Sequence, residues 1–144
     1  MAGLAQEAIF GPVFGMFVLT MVVWVYMYAK RIPLIQSLDL APDELTPEAL
    51  ARHSPPAVSN PSDNLKNLFE MPVLFYVLSG WLYVTAAVDA FYLWAAWAYL
   101  ALRVLHSGMH CTRNVVLVRF WLYGASCLVL FVMIFRAGWQ LLAG

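Results

Sequence analysis

Residues 8–29 read AIFGPVFGMFVLTMVVWVYMYA, a run that contains no charged side chain. A helix needs about 20 mainly apolar residues to cross a bilayer. This run is too long for the apolar core of a signal peptide, and no basic stretch precedes it. We therefore predict a retained membrane-spanning helix here that ends before Lys30.

The composition of the whole chain points the same way. Of its 144 residues, 63% are hydrophobic and 11% are charged. Soluble domains average about 45–50% hydrophobic residues and about 25% charged residues. Eight basic and eight acidic residues give no net charge, which argues against a nucleic-acid partner. The two cysteines, Cys111 and Cys127, are too few for a disulfide scaffold. The sequence therefore predicts a small integral membrane protein.

Three more spans are predicted, at residues 64–88, 90–111 and 114–142. The connection between the last two is short, which makes them antiparallel neighbours. The predicted fold is all-α: a single domain over 1–144, built as an antiparallel four-helix membrane bundle that forms an oligomer. Residues 30–63 hold most of the prolines and are predicted to be a solvated loop, with one short helix capped by Thr46 and started by Pro47.

The basic residues predict the orientation. Most lie in or beside the long loop or near the third connection: Lys30, Arg31, Arg52, Lys66, Arg113 and Arg119. The positive-inside rule places both segments in the cytoplasm and both termini outside, as in a bacterial inner-membrane protein. Arg136 is the exception.

Polar residues interrupt the second span. Asp63, Asn67 and Glu70 stand at i, i+4 and i+7, on one helix face. A charge at mid-bilayer costs ~2.5–3.5 kcal/mol, so each needs a reason. Pro72 has no backbone N–H, so we expect a bend there that frees the carbonyl of Leu68.

The third span carries a matching stripe, Arg103, His106 and His110. Both stripes lie toward the cytoplasmic side, so we expect them to meet in a buried polar pocket. One interpretation is a structural ion pair between Glu70 and Arg103. A second is a site for a charged ligand, and a third is a metal or haem site at His106 and His110.

These motifs are similar to those of the membrane-associated proteins in eicosanoid and glutathione metabolism, the MAPEG family. Asn67 and Glu70 match its Asn-x-x-Glu, followed by a proline, and Arg103 and His106 match its Arg-x-x-His. Arg119 falls at the spacing of its downstream arginine. The resemblance covers essentially the whole chain.

The resemblance implies a glutathione-dependent transferase or peroxidase that acts on lipophilic electrophiles at the cytoplasmic leaflet. Its partners would be the lipid bilayer, lipophilic small molecules and further copies of the chain, as a trimer with a dimer as the alternative. Glu70 would hold the amino group of glutathione and Arg119 the thiolate, while Lys30 or Arg31 would reach a neighbouring subunit. The implied site has Arg119 as catalytic residue, no metal ion, and as cofactor-binding residues Asn67, Glu70, Arg103, His106 and His110.

Two positions depart from the family pattern. Asp63 stands where the conjugating members have an arginine, and His110 stands where they have a tyrosine. A carboxylate at position 63 would repel a glutathione carboxylate. A second function therefore stays open, that of a non-catalytic membrane binding or scaffold protein with the same fold.

Overall fold

A computed structural model describes residues 5–143, and within this range the chain is helical, without a β-strand. After a short 3-10 turn (Gln6–Ile9), the helices are α1 (Phe10–Ser37), α2 (Pro47–His53), α3 (Pro56–Leu68), α4 (Met71–Val84), α5 (Ala90–Cys111) and α6 (Val116–Ala143). The all-α prediction is confirmed. The single-domain prediction for 1–144 extends beyond the described residues at both ends.

Among the described residues, three helical stretches are long and apolar enough to cross a membrane: Gln6–Ser37, Pro56–Val84 and Val116–Ala143. Their outward side chains include fully apolar ones such as Phe135 and Leu142, which are 76% and 87% exposed. Helix α5 has 22 residues, or about 33 Å at 1.5 Å per residue. Its buried arginine and histidines lower its hydropathy, so composition alone does not identify it as a fourth span.

The loop predicted over 30–63 is much shorter in the structure. Helix α1 continues through Pro33 to Ser37, and α3 begins at Pro56. The prolines misled the prediction, because Pro33 lies inside α1 and Pro56 occupies the first turn of α3, where the missing N–H costs nothing. The short helix was predicted correctly: Thr46 caps α2 by accepting from the Ala49 amide at 3.2 Å.

The second span is broken as well as bent. Helix α3 ends at Leu68 and α4 starts at Met71, while Glu70 between them has φ −97° and ψ −98°. Pro72 lies in the first turn of α4, where it cannot continue a helical hydrogen-bond ladder from α3. The bend expected at Pro72 within the predicted span 64–88 is thus a break between two helices, and it falls at the segment that carries the polar stripe.

Helices α1 and α5 approach each other closely at two glycines. A Cβ added to Gly11 would lie 3.1 Å from the Trp97 ring, and one added to Gly15 would overlap the Leu100 side chain. Two small residues four apart are a common device for close packing of membrane helices. The spacing Gly11-x-x-x-Gly15 is the sequence signal for this contact.

Hydrogen bonds and an ion pair stabilise the end of the molecule that contains Gln6. Gln6 exchanges two hydrogen bonds with the Val88 backbone, at 3.1 and 2.9 Å. Asp89 caps α5 at the Tyr92 amide and forms a bidentate ion pair with Arg136. The hydrogen bonds from Arg136 lower the pKa of the Asp89 carboxyl. Arg136, the exception to the charge pattern, is thus balanced by an acid.

The close α1–α5 contact gives a first prediction. Gly15→Leu should destabilise the protein by about 1–3 kcal/mol, because the new side chain overpacks a filled contact. The measurement is the midpoint of unfolding in detergent. Gly138→Leu is the control, since no atom lies within 4 Å of a Cβ there. Equal effects of the two substitutions would show that α1 and α5 do not pack through Gly15.

Candidate functional site

The break between α3 and α4 leaves a backbone carbonyl without a helical partner, and Arg103 binds it. The Arg103 Nη2 donates to the Asn67 carbonyl oxygen at 2.7 Å. In an unbroken helix that oxygen would accept from the amide of Met71. The Leu68 carbonyl was expected to be the freed group, but the bond to Arg103 falls one residue earlier.

The predicted ion pair between Glu70 and Arg103 is not formed. Arg103 is fully buried, whereas Glu70 is exposed, because the break in the backbone turns residue 70 outward. The Glu70 carboxylate instead accepts a long hydrogen bond, 3.4 Å, from the Tyr123 hydroxyl. The structural interpretation of this pair is therefore wrong.

Arg103 keeps unused hydrogen-bonding capacity. Its Nε and Nη1 are buried and have no partner within residues 5–143. The guanidinium lies over the Tyr123 ring, 5.1 Å from its centroid. A buried cation is costly unless it is paired and hydrogen-bonded. Arg103 is thus a buried positive charge that no carboxylate of the described chain neutralises.

The two histidines of α5 both contact Arg119 of α6. His106 Nδ1 lies 3.1 Å from the Arg119 carbonyl, and His110 Nε2 lies 2.9 Å from the Arg119 Nη1. A carbonyl can only accept and a guanidinium can only donate. His106 therefore carries a proton on Nδ1, while His110 accepts at Nε2. The other ring nitrogens, His106 Nε2 and His110 Nδ1, are buried without a described partner.

A residue that the sequence analysis missed also holds Arg119. The Arg119 Nη1 donates to the Asn114 side-chain oxygen at 2.8 Å, and Asn114 in turn donates to Asn60 of α3 at 3.0 Å. Asn114 has φ 47°, and its amide closes α5 by bonding to the Met109 carbonyl at 2.8 Å. The sequence signal for this role is an asparagine just after a helix, because asparagine tolerates the left-handed backbone conformation.

Buried polar contacts also join α3 to α5 beside the site. Asn64 is fully buried, and its side-chain oxygen accepts from the Ser107 hydroxyl at 3.3 Å. Its amide nitrogen lies 3.5 Å from the Cys111 sulfur. These bonds fix the register between α3 and α5, so they position Asn67 opposite Arg103.

A cleft of about 210 Å³ opens beside these groups. It is lined by Asn67, His106, Val116, Arg119, Phe120 and Tyr123. The buried Arg103 and His110 contact the lining residues Tyr123 and Arg119, and Glu70 reaches the edge of the cleft through Tyr123. Tyr123 was not predicted, although it stands four residues after Arg119 on the same helical face.

Asp63 does not belong to the cleft. It pairs with Lys66 at 2.9 Å, and both side chains are largely exposed. The three residues predicted to share one helix face therefore lie in different places. Asp63 pairs with Lys66, Asn67 lines the cleft and Glu70 is at its edge.

The guanidinium of Arg119 lines the cleft, that of the buried Arg103 lies against the lining residue Tyr123, and the acidic Glu70 is at the edge. Such an arrangement suits an anion that also carries a positive group, because hydrogen bonds between charged partners are the strong ones. Within residues 5–143, no cluster of three or more histidine, cysteine or acidic residues could hold a metal ion.

Comparison with known proteins identifies one family. A model described as the MAPEG family matches residues 9–139, which is nearly the whole chain. No curated protein and no solved structure matches the chain.

The bond between Arg103 and the Asn67 carbonyl gives a second prediction. Arg103→Leu should lower the unfolding free energy by about 1–3 kcal/mol, because it leaves the Asn67 carbonyl at the helix break without its partner. Glu70→Gln should change it by less than about 0.5 kcal/mol, as expected of an exposed side chain. Both are measured without added ligand. Equal losses of unfolding free energy in the two variants would indicate that Glu70 and Arg103 form an ion pair, contrary to the structure.

Asn114 gives a third prediction, which separates backbone from side chain. Asn114→Ala and Asn114→Gly both remove the bonds to Asn60 and Arg119. Only glycine adopts a positive φ without steric cost, so the alanine variant should be less stable by about 1 kcal/mol. Denaturation midpoints test this, and equal midpoints would refute the left-handed conformation at residue 114.

Proposed function

This chain belongs to the MAPEG family of membrane proteins, and we propose that it is a glutathione-dependent transferase or peroxidase acting on lipophilic electrophiles. The observation that carries the proposal is the unneutralised charge at the cleft. Arg103 is buried with two unpaired nitrogens, and Arg119 lines the cavity beside it. An anionic ligand would supply the negative charge that Arg103 and Arg119 lack.

The resemblance and the geometry together suggest how glutathione would bind. Glu70 is the exposed carboxylate at the edge of the cleft, so it is the group to receive the ammonium of the tripeptide. Asn67 and His106 line the cavity, and the free Nε2 of His106 can accept a hydrogen bond. Arg103 would attract a carboxylate of glutathione, and His110 would act indirectly, by holding Arg119.

Arg119 is the proposed catalytic residue because a nearby guanidinium favours a thiolate over a thiol. In the transferase reaction, the thiol proton passes to water and the thiolate sulfur bonds to the electrophilic carbon. The leaving group departs with the bonding electrons. In the peroxidase reaction, the sulfur takes the terminal hydroperoxide oxygen and leaves an alcohol. A second glutathione then gives the disulfide and water.

The membrane arrangement is part of the proposal. We place α5 across the bilayer as the fourth span, with the cleft in the cytoplasmic half and both termini outside, as in a bacterial inner membrane. The pairing of Arg136 with Asp89 supports this orientation, since that cation no longer opposes the positive-inside pattern. Lipophilic substrates would then enter from the surrounding bilayer.

We propose a homo-oligomer, with the trimer implied by the family ahead of a dimer. Glu70 is exposed on a chain whose outer surface is mostly apolar. Ionisable residues in membrane spans usually face protein or a water-filled cavity. A neighbouring subunit would cover Glu70 and close the open side of the cleft.

The two departures from the family pattern are compatible with glutathione in this geometry. Asp63 is paired with Lys66 and does not line the cleft, so it is not placed to repel a carboxylate there. His110 supplies a hydrogen-bond acceptor to Arg119. A metal or haem site has less support, because the His110 Nε2 is already occupied by this guanidinium.

The test is the ultraviolet absorbance of thiolate when glutathione is added to the purified oligomer at neutral pH. The wild type should show the band, and Arg119→Gln should lower the thiolate fraction about tenfold, which is one pKa unit. Arg113→Gln, at an exposed arginine of the α5–α6 turn, is the control and should retain the band.

Three other outcomes would contradict the proposal. Binding of glutathione without thiolate would favour the non-catalytic binding protein. No binding at all would exclude glutathione as the ligand. A Soret band or co-purified zinc that disappears in His106→Ala would favour the metal or haem site.

A further inference from the structure

A second polar cavity lies apart from the cleft. It has a volume of about 280 Å³ and is enclosed by the end of α1, helix α2 and the outer side of α3. Its polar lining includes Arg31, Ser62, Asp63 and Lys66. None of its lining residues lines the cleft beside His106.

The cavity lies where α1 leaves the apolar part of the chain. Arg31 is the second residue after the uncharged run 8–29, so it marks the level of the lipid headgroups. The preceding residue, Lys30, is directed differently, with its ammonium 5.5 Å from the centroid of the Tyr26 ring. Of these two neighbouring cations, only Arg31 lines the cavity.

The charges in this cavity are incompletely paired. Within residues 5–143, Arg31 is partly buried and forms no hydrogen bond or ion pair. Lys66 is paired with Asp63, but their side chains are 72% and 54% exposed. Such surface pairs contribute little energy, so Lys66 can exchange its partner. The two cations and one anion leave the cavity with a surplus positive charge.

The remaining lining completes a site for a phosphate that is attached to an apolar molecule. Ser62 makes no hydrogen bond to the described chain, so its hydroxyl is available to donate. Ala51 of α2 and Val58 of α3 form an apolar wall. The planar guanidinium of arginine binds phosphate oxygens in a two-pronged manner.

We propose that this cavity binds the phosphate diester headgroup of a membrane phospholipid. Arg31 and Lys66 contact the phosphate, Ser62 donates to it, and the start of the acyl chains lies against the apolar wall. Helix α2 covers the headgroup, which gives the segment between α1 and α3 a role. This site does not depend on glutathione chemistry in the cleft. It also leaves Lys30 as the cation able to reach a neighbouring subunit.

The experiment uses the full-length protein, delipidated in neutral detergent, with phosphatidylglycerol added in mixed micelles. Thermal stabilisation and lipid adducts in native mass spectrometry are the measurements. Arg31→Gln should weaken phosphatidylglycerol binding at least about tenfold, while Lys30→Gln, the matched control, should bind as the wild type does. Arg31→Lys, which keeps the charge but not the two-pronged contact, should fall between them.

Further arms identify the source of the phosphate. Inorganic phosphate and glycerophosphoglycerol test for a soluble ligand, and diacylglycerol tests for acyl chains alone. Stabilisation by phosphatidylglycerol only would support the proposal. Equal stabilisation by soluble phosphate would overturn the lipid assignment, and equal stabilisation by diacylglycerol would overturn phosphate recognition. Equal losses in Arg31→Gln and Lys30→Gln would show a general charge effect and would also overturn it.

Discussion

The rest of the structure depends on one hydrogen bond, from the Arg103 guanidinium to the Asn67 carbonyl. In a membrane protein, a backbone carbonyl released from its helix must find a partner inside the protein. Pro72 prevents a continuous helix, and Arg103 compensates for the break. The result is a buried cation beside a bent backbone. The chain tolerates this costly combination at the place where its polar residues gather.

The break also determines the direction of each polar side chain. Asn67, at the end of α3, lines the cleft, while Glu70, after the break, is exposed and reaches the cleft only through Tyr123. The short α5–α6 turn then brings Arg119 against both histidines of α5. Three helices, α3, α5 and α6, therefore produce a cationic cleft with an acid at its edge. This distribution of charge underlies the proposal of an anionic thiol as ligand.

Helix α5 also packs against α1 and α3 through contacts outside the cleft. Gly11 and Gly15 allow α1 to approach α5 closely, while α3 docks on α5 through the buried Asn64. Helix α5 is thus held by close backbone packing on one side and by polar bonds on others. Polar groups that cost free energy in lipid here fix the register of α3 against α5.

The sequence by itself determined the membrane class, the family motifs and the common face of Arg103, His106 and His110, because these follow from composition and helical periodicity. It also predicted the Thr46 cap, a purely local feature. It could not determine that Glu70 and Arg103 stay apart, that Asn114 holds Arg119, or that Asp63 faces a second cavity. Those outcomes depend on the backbone angles at the break and on contacts between residues distant in the chain. Periodicity assumes an unbroken helix, and only the tertiary structure decides where that assumption fails.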